Sequence, residues 1–166
     1  MKHTLSVLVQ NEAGVLSSLS GLFSGRGYNI ESLTVAPTID NEYSRVTIVT
    51  SGDEKVIEQI CKQLHRLIYT LKVAEIYSEN SVERELVLVK VSARDEDRSE
   101  ILRIAEIFEA KIVDVSPKTY TLQIVGDQSK VHSVIELLRP IGIKEIVRSG
   151  LVAITKENQF MMNGKQ

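Results

Sequence analysis

The 166-residue chain contains a single cysteine, Cys61, which excludes an internal disulfide and, as a lone thiol, offers no metal-ligand cluster. It has no apolar run of about 20 residues, the length a helix needs to span a bilayer, and its N-terminus lacks the basic-then-apolar layout of a secretory signal. Both absences predict a cytoplasmic protein. A large excess of one charge sign is missing as well: 20 basic against 22 acidic side chains leave a net charge of −2. No overall positive field exists to hold a polyanion, so nucleic acid is not expected as the main partner. His3, His65 and His132 are scattered, with no acidic partner at a useful spacing, and no catalytic triad, metal motif or carboxylate pair is legible. Cys61 follows Ile57 by four residues on an apolar helix face, the pattern of a core residue and not of a nucleophile.

What is present is a folding pattern that occurs twice. A hydrophobic fraction of 43% with 25% charged residues describes a globular chain with a core. Its length suits two small domains of about 75–80 residues. In the first half Leu5, Val7 and Val9 mark a strand, and Val15, Leu16, Leu19, Leu22 and Phe23 one face of a helix that Gly25 and Gly27 stop. Segments 29–37 and 43–50 read as a hairpin turning at Asp40-Asn41. Asp53 is a plausible N-cap for a helix carrying Val56, Ile57, Ile60, Leu64 and Leu67, and 71–77 supplies a last strand. The order β-α-β-β-α-β repeats from Leu86, through a helix with Ile101, Ile104, Ala105 and Phe108, a hairpin around Ser116-Pro117, a helix with Val131, Val134, Ile135 and Leu138 that ends at Pro140, and a strand from Ile143. The predicted fold class is α+β, two ferredoxin-like units with helices on one face of each antiparallel sheet. Predicted boundaries are 1–78, a charged linker at 79–85, a second domain at 86–157 and a frayed tail at 158–166. Leu8, Val35 and Val49 are expected on the uncovered sheet face, too apolar for water, so pairing of two copies is the expected remedy.

The segment Gln10-Asn11-Glu12-Ala13-Gly14-Val15-Leu16 carries the functional signal. A strand that runs through a small-residue turn into a helix leaves backbone N–H groups unpaired, and with the helix dipole they attract an anionic group such as a carboxylate. Gly14 would let a ligand approach the backbone. Read without further context, Asn11 and Gly14 equally suit a capped, tight strand-to-helix turn, and Asn29 an ordinary turn.

Taken jointly, Asn11-Glu-Ala-Gly14-Val-Leu16 and Gly27-Tyr28-Asn29-Ile30-Glu31-Ser32-Leu33 resemble the small regulatory subunits of acetolactate synthase (acetohydroxyacid synthase), with an N-terminal ACT domain. The resemblance covers about residues 2–157. It implies a subunit without chemistry of its own, which activates a catalytic large subunit and confers feedback inhibition by valine in branched-chain amino acid biosynthesis. It further implies that the thiamine diphosphate, Mg and, as an open option, FAD belong to that catalytic partner, with no cofactor in this chain. The implied effector site comprises Asn11, Ala13, Gly14, Val15, Leu16, Asn29 and Ile30. Backbone N–H groups at 13–16 would hold the carboxylate, and the amide oxygens of Asn11 and Asn29 would accept from the ammonium. Val15, Leu16, Ile30 and Val35 would shape the apolar pocket. In the family the amino acid sits between two paired ACT domains, so the two segments are expected from different chains of a homodimer. The second half enters its helix through Ser92-Ala93-Arg94-Asp95-Glu96-Asp97-Arg98, without glycine, and is expected to bind no amino acid.

The alternative within the same fold is a stand-alone ACT-type amino-acid sensor acting on another enzyme. An RNA-binding module shares the β-α-β-β-α-β order but stacks bases on strand aromatics, and neither hairpin carries that motif.

Overall fold

A computed structural model describes residues 1–156; the expected frayed tail lies outside the described residues. The chain divides into two compact units, Met1–Val82 together with the stretch from Leu151, and Glu83–Gly150.

In the first unit, β1 (Lys2–Gln10), β2 (Ile30–Pro37), β3 (Tyr43–Ser51) and β4 (Thr70–Ile76) form an antiparallel sheet in the order β2-β3-β1-β4. Helices α1 (Val15–Gly25) and α2 (Glu54–His65) supply the rest of the core. Strand alternation turns Leu5, Val7, Val9, Val46 and Ile48 toward Val15, Leu19 and Phe23 of α1 and Ile57, Ile60 and Leu64 of α2. The Asp53 carboxylate caps α2 as predicted, accepting from the Val56 backbone N–H at 2.9 Å. Gly52 must precede it, because a Cβ there would stand 2.9 Å from Val56 Cγ1.

The second unit repeats the plan with β5 (Ser81–Ser92), α3 (Arg98–Ile107), β6 (Lys111–Val115), β7 (Thr119–Gly126), α4 (Gln128–Leu138) and β8 (Ile143–Arg148), strand order β6-β7-β5-β8. Asp127 caps α4 as Asp53 caps α2, accepting from the Lys130 N–H at 2.8 Å. Residues 124–131 (Ile-Val-Gly-Asp-Gln-Ser-Lys-Val) thus use the same strand-to-helix device as 48–56 (Ile-Val-Thr-Ser-Gly-Asp-Glu-Lys-Val). The fold is α+β, two ferredoxin-like units, as the sequence predicts.

Two details differ from expectation. Segment 79–85 is not a coil linker: a 3-10 turn at Ser78–Asn80 leads directly into β5, and β9 (Val152–Thr155) pairs with β5. Its charged residues mislead because the buried Glu85 is neutralised by Arg148, 63 residues away, through two hydrogen bonds of 2.8 and 2.7 Å. By its contacts the stretch from Leu151 groups with the first unit. Finally, Val35 is opposite the core residue Val46 and thus on the helix side, away from Leu8 and Val49. A bulge between Ile30 and Ser32 shifts the phase of β2 and causes that change. Leu8 and Val49 are buried within the chain, and Arg45, on their face, donates from Nε to Ser6 Oγ at 2.9 Å.

Candidate functional site

Gly14 is the N-cap of α1, with φ +86° and ψ −10°, the left-handed region that an L side chain adopts only with strain. It has no side chain with which to cap the helix, and α1 carries no acidic residue in its first turn. Contrast α2, whose first turn has both the Asp53 cap and Glu54. The Gly14 carbonyl accepts from the Ser18 N–H at 2.9 Å and the Ser18 hydroxyl at 3.1 Å, so the helix is tied down at its carbonyl side only. The Val15 N–H makes one long bond, 3.4 Å to the Glu12 carbonyl. The N–H groups of Leu16 and Ser17, second and third in the helix, precede any intrahelical acceptor. A Cβ built on Gly14 meets nothing within 4 Å, so the space beside this residue is open.

Asn11 stands at the rim of the same turn. Its backbone N–H donates to the Glu42 carbonyl at 2.8 Å and its Nδ2 to the Asn41 carbonyl at 2.9 Å. Both bonds tie the loop to the β2–β3 hairpin tip. With Nδ2 committed, Oδ1 is the amide atom suited to accept a hydrogen bond from a ligand. Among the expected apolar residues, Val15 is buried in the core, so its side chain cannot line an open pocket. Leu16, expected on the buried face, is 43% exposed, and Val35 44%. Both side chains expose apolar surface.

Asn29 and Ile30 lie elsewhere. Ile30 is opposite Thr50, and Thr50 opposite His3, at the start of β1; Gln10, at its end, is opposite Tyr43. Tyr43 and Thr50 are seven residues apart on β3, roughly 23 Å at about 3.3 Å per residue. One chain therefore places its 11–16 turn and its 29–30 segment at opposite ends of the sheet. A single small amino acid cannot touch both.

Sequence reasoning missed Thr50. Fully buried, it donates from Oγ1 to the Asn29 carbonyl at 2.6 Å, which commits that carbonyl and leaves the exposed Asn29 side chain free to turn outward. The available signal was a hydroxyl on the core-facing parity of β3, two residues past Ile48.

The matching turn of the second unit is closed. Arg98 donates from Nε to the Ala93 carbonyl at 3.3 Å and from Nη2 to the Pro117 carbonyl at 3.0 Å, and its Nη1 pairs with Asp95 at 2.9 Å. A guanidinium thus bridges the strand end, the loop and the next hairpin, where the first unit has open space. Among the described residues no group of three or more His, Cys, Asp or Glu is placed to hold a metal ion, and no helix is long and apolar enough to cross a membrane.

Residues 5–72 match the family model described as the AHAS small subunit-like ACT domain, and residues 84–157 that of the small subunit of acetolactate synthase. The chain is 52% identical over 159 residues to the probable acetolactate synthase small subunit of Archaeoglobus fulgidus, covering 96% of this chain and 99% of that one. It is 49% identical over 162 residues to the acetolactate synthase isozyme 3 small subunit of Escherichia coli, covering 97% and 99%. The crystal structure of the acetolactate synthase small subunit from Thermotoga maritima superposes with a TM-score of 0.87 at 43% identity, over 95% of this chain and 99% of that one.

Proposed function

Since the chain belongs to the family of acetolactate synthase small subunits, we propose that it is the non-catalytic regulatory subunit of such a synthase, activating the large catalytic subunit and making it sensitive to valine. Thiamine diphosphate chemistry then falls to the catalytic partner, and the present chain supplies an effector site and a conformational response. The observation that carries this reading is the open, uncapped N-terminus of α1 behind a left-handed glycine, a place built to receive an anion that the protein does not itself provide.

The separation of the two site segments supports a site shared between copies. Strand β2 is an edge of its sheet. If two copies pair antiparallel through β2 about a two-fold axis, the start of one β2 lies beside the end of the other. Pro37, at that end, is opposite Ser44 and so lies at the Gln10–Asn11 end of the sheet. Asn29 and Ile30 of one copy would then approach the 11–16 turn of its partner. The carboxylate would take the Leu16 and Ser17 N–H groups, the ammonium the Asn11 and Asn29 amide oxygens, and the aliphatic side chain would lie among Leu16, Val35 and the partner's Ile30. Binding that favours one arrangement of the pair shifts its population and alters what the catalytic subunit meets.

The test is reconstitution with a purified acetolactate synthase large subunit. Increased turnover on adding this chain, reversed by L-valine and not by D-valine, is the expected result. Stereoselective amino-acid binding without any effect on the synthase would instead identify a stand-alone sensor.

A further inference from the structure

We infer that a clamp formed by Lys2, Thr50 and Ser51 around Asn29 and Glu31 sets the aim of Ile30, making these residues positioning groups for the effector site; this rests on the reading of Asn29 and Ile30 as part of that site. The register contains the argument. Continued regularly from Ser32 opposite Val49, β2 would place Glu31 opposite Thr50 and send the Ile30 side chain to the face of the sheet away from the helices. Instead Ile30 itself is opposite Thr50, and Glu31 is the extra residue of a bulge. The bulge turns Ile30 to the helix side, where it packs against the core.

Both neighbours of Ile30 are held by adjacent strands, from opposite faces. On the helix side the fully buried Thr50 donates to the Asn29 carbonyl at 2.6 Å. On the face away from the helices the Glu31 carboxylate pairs with Lys2 Nζ at 2.7 Å and accepts from the Ser51 hydroxyl. Two consequences follow. The bulge cannot relax by sliding one residue without breaking both sets of bonds, so the direction of Ile30 is fixed before any ligand arrives. The Glu31 carboxylate, though next in sequence to the site, is engaged on the far face and is not the acceptor for the ligand's ammonium.

Thr50→Val removes the hydroxyl while keeping the side chain's shape, and Thr50→Ser keeps the hydroxyl. Both full-length variants would be titrated with L-valine and L-alanine, with thermal unfolding measured in parallel. The expected result is that Thr50→Val raises the Kd for L-valine about fivefold, the worth of one ordinary hydrogen bond. The preference for valine over alanine should narrow, because a misdirected Ile30 no longer distinguishes the larger side chain. Thr50→Ser should restore both affinity and preference, and Glu31→Gln should narrow the preference as Thr50→Val does. Wild-type affinity and preference in Thr50→Val would overturn the inference while leaving the effector site intact. Equal loss in Thr50→Val and Thr50→Ser, in step with a fall in Tm, would also overturn it, by making Thr50 a purely structural residue. A wild-type chain that binds no amino acid, alone or in the reconstituted complex, would remove the site reading itself and this inference with it.

Discussion

At Gly14 the backbone angle and the proposed chemistry impose the same residue. Any L side chain at φ +86° is strained by about 1–2 kcal/mol, yet a Cβ there clashes with nothing. Gly14→Asp should therefore fold, with Tm lowered by only a few degrees, while its carboxylate occupies the anion position and repels the ligand's own. Titration should show loss of valine binding, and reconstitution should show activation without inhibition. Loss of both activities together would contradict that separation of roles. Cys61 illustrates the opposite kind of residue. Burial, reinforced by the Glu75 carboxylate, pushes its thiol above the usual range, so little thiolate forms at neutral pH. Alkylation by iodoacetamide at pH 7.5 should be slow in the native chain and rapid after denaturation. The Glu31 carboxyl is held below its ordinary 4.5 by hydrogen bonds from Lys2 and Ser51, despite partial desolvation. A lowered folded-state pKa means that its contribution is complete above the ordinary carboxylate range and is lost as pH falls through the lowered value. Protonation of Glu31 should thus leave valine affinity unchanged between pH 6 and 8 and weaken it only in acid, a trend that titration at stepped pH reads directly and that Glu31→Gln should flatten.

The elements were legible where local chemistry decides them. Alternation of Leu5, Val7 and Val9, the 3.6-residue spacing of Ile57, Ile60 and Leu64, and the Asp53 cap before α2 all act within a few residues, and each produced the element expected. What sequence could not show depends on distant partners. The β2 bulge moves Val35 to the other face, and it is held by Lys2, Thr50 and Ser51 from other strands. Glu85 reads as a solvated linker charge until its ion pair with Arg148 is seen. Likewise, the 11–16 turn and the 29–30 segment were both identifiable as motifs, but their positions at opposite ends of one sheet require the strand register. The caps and the ion pair carry their own predictions. Asp53→Ala should cost about 1 kcal/mol, because the Val56 N–H loses its acceptor. Arg148→Ala strands a buried carboxylate and should cost about 3 kcal/mol. Urea unfolding of the two variants beside the wild type gives both values; a neutral Arg148→Ala would mean that the Glu85 carboxylate finds another partner or water.

For the whole molecule, the two units show how one plan serves two purposes. Both have a strand, a turn and a helix at the same place, yet the first leaves its turn open behind a left-handed glycine, while the second fills it with the Arg98 guanidinium. Only the first leaves the donors of its helix N-terminus without a side-chain cap or a guanidinium across the turn. Because its two site segments cannot meet within one chain, effector binding and self-association should be thermodynamically linked: valine should tighten the dimer, and dilution should weaken apparent valine affinity. Sedimentation at stepped protein concentrations, with and without valine, would measure that linkage.

The most direct test of the account is isothermal titration of the full-length protein with L-valine, beside L-leucine, L-isoleucine and D-valine, and with Gly14→Asp as the matched control. The account predicts saturable heat for the L-branched amino acids, none for D-valine, a stoichiometry set by sites shared between two copies, and no heat for Gly14→Asp. Undiminished binding in Gly14→Asp, or equal heat from both valine enantiomers, would contradict a carboxylate site at the α1 N-terminus.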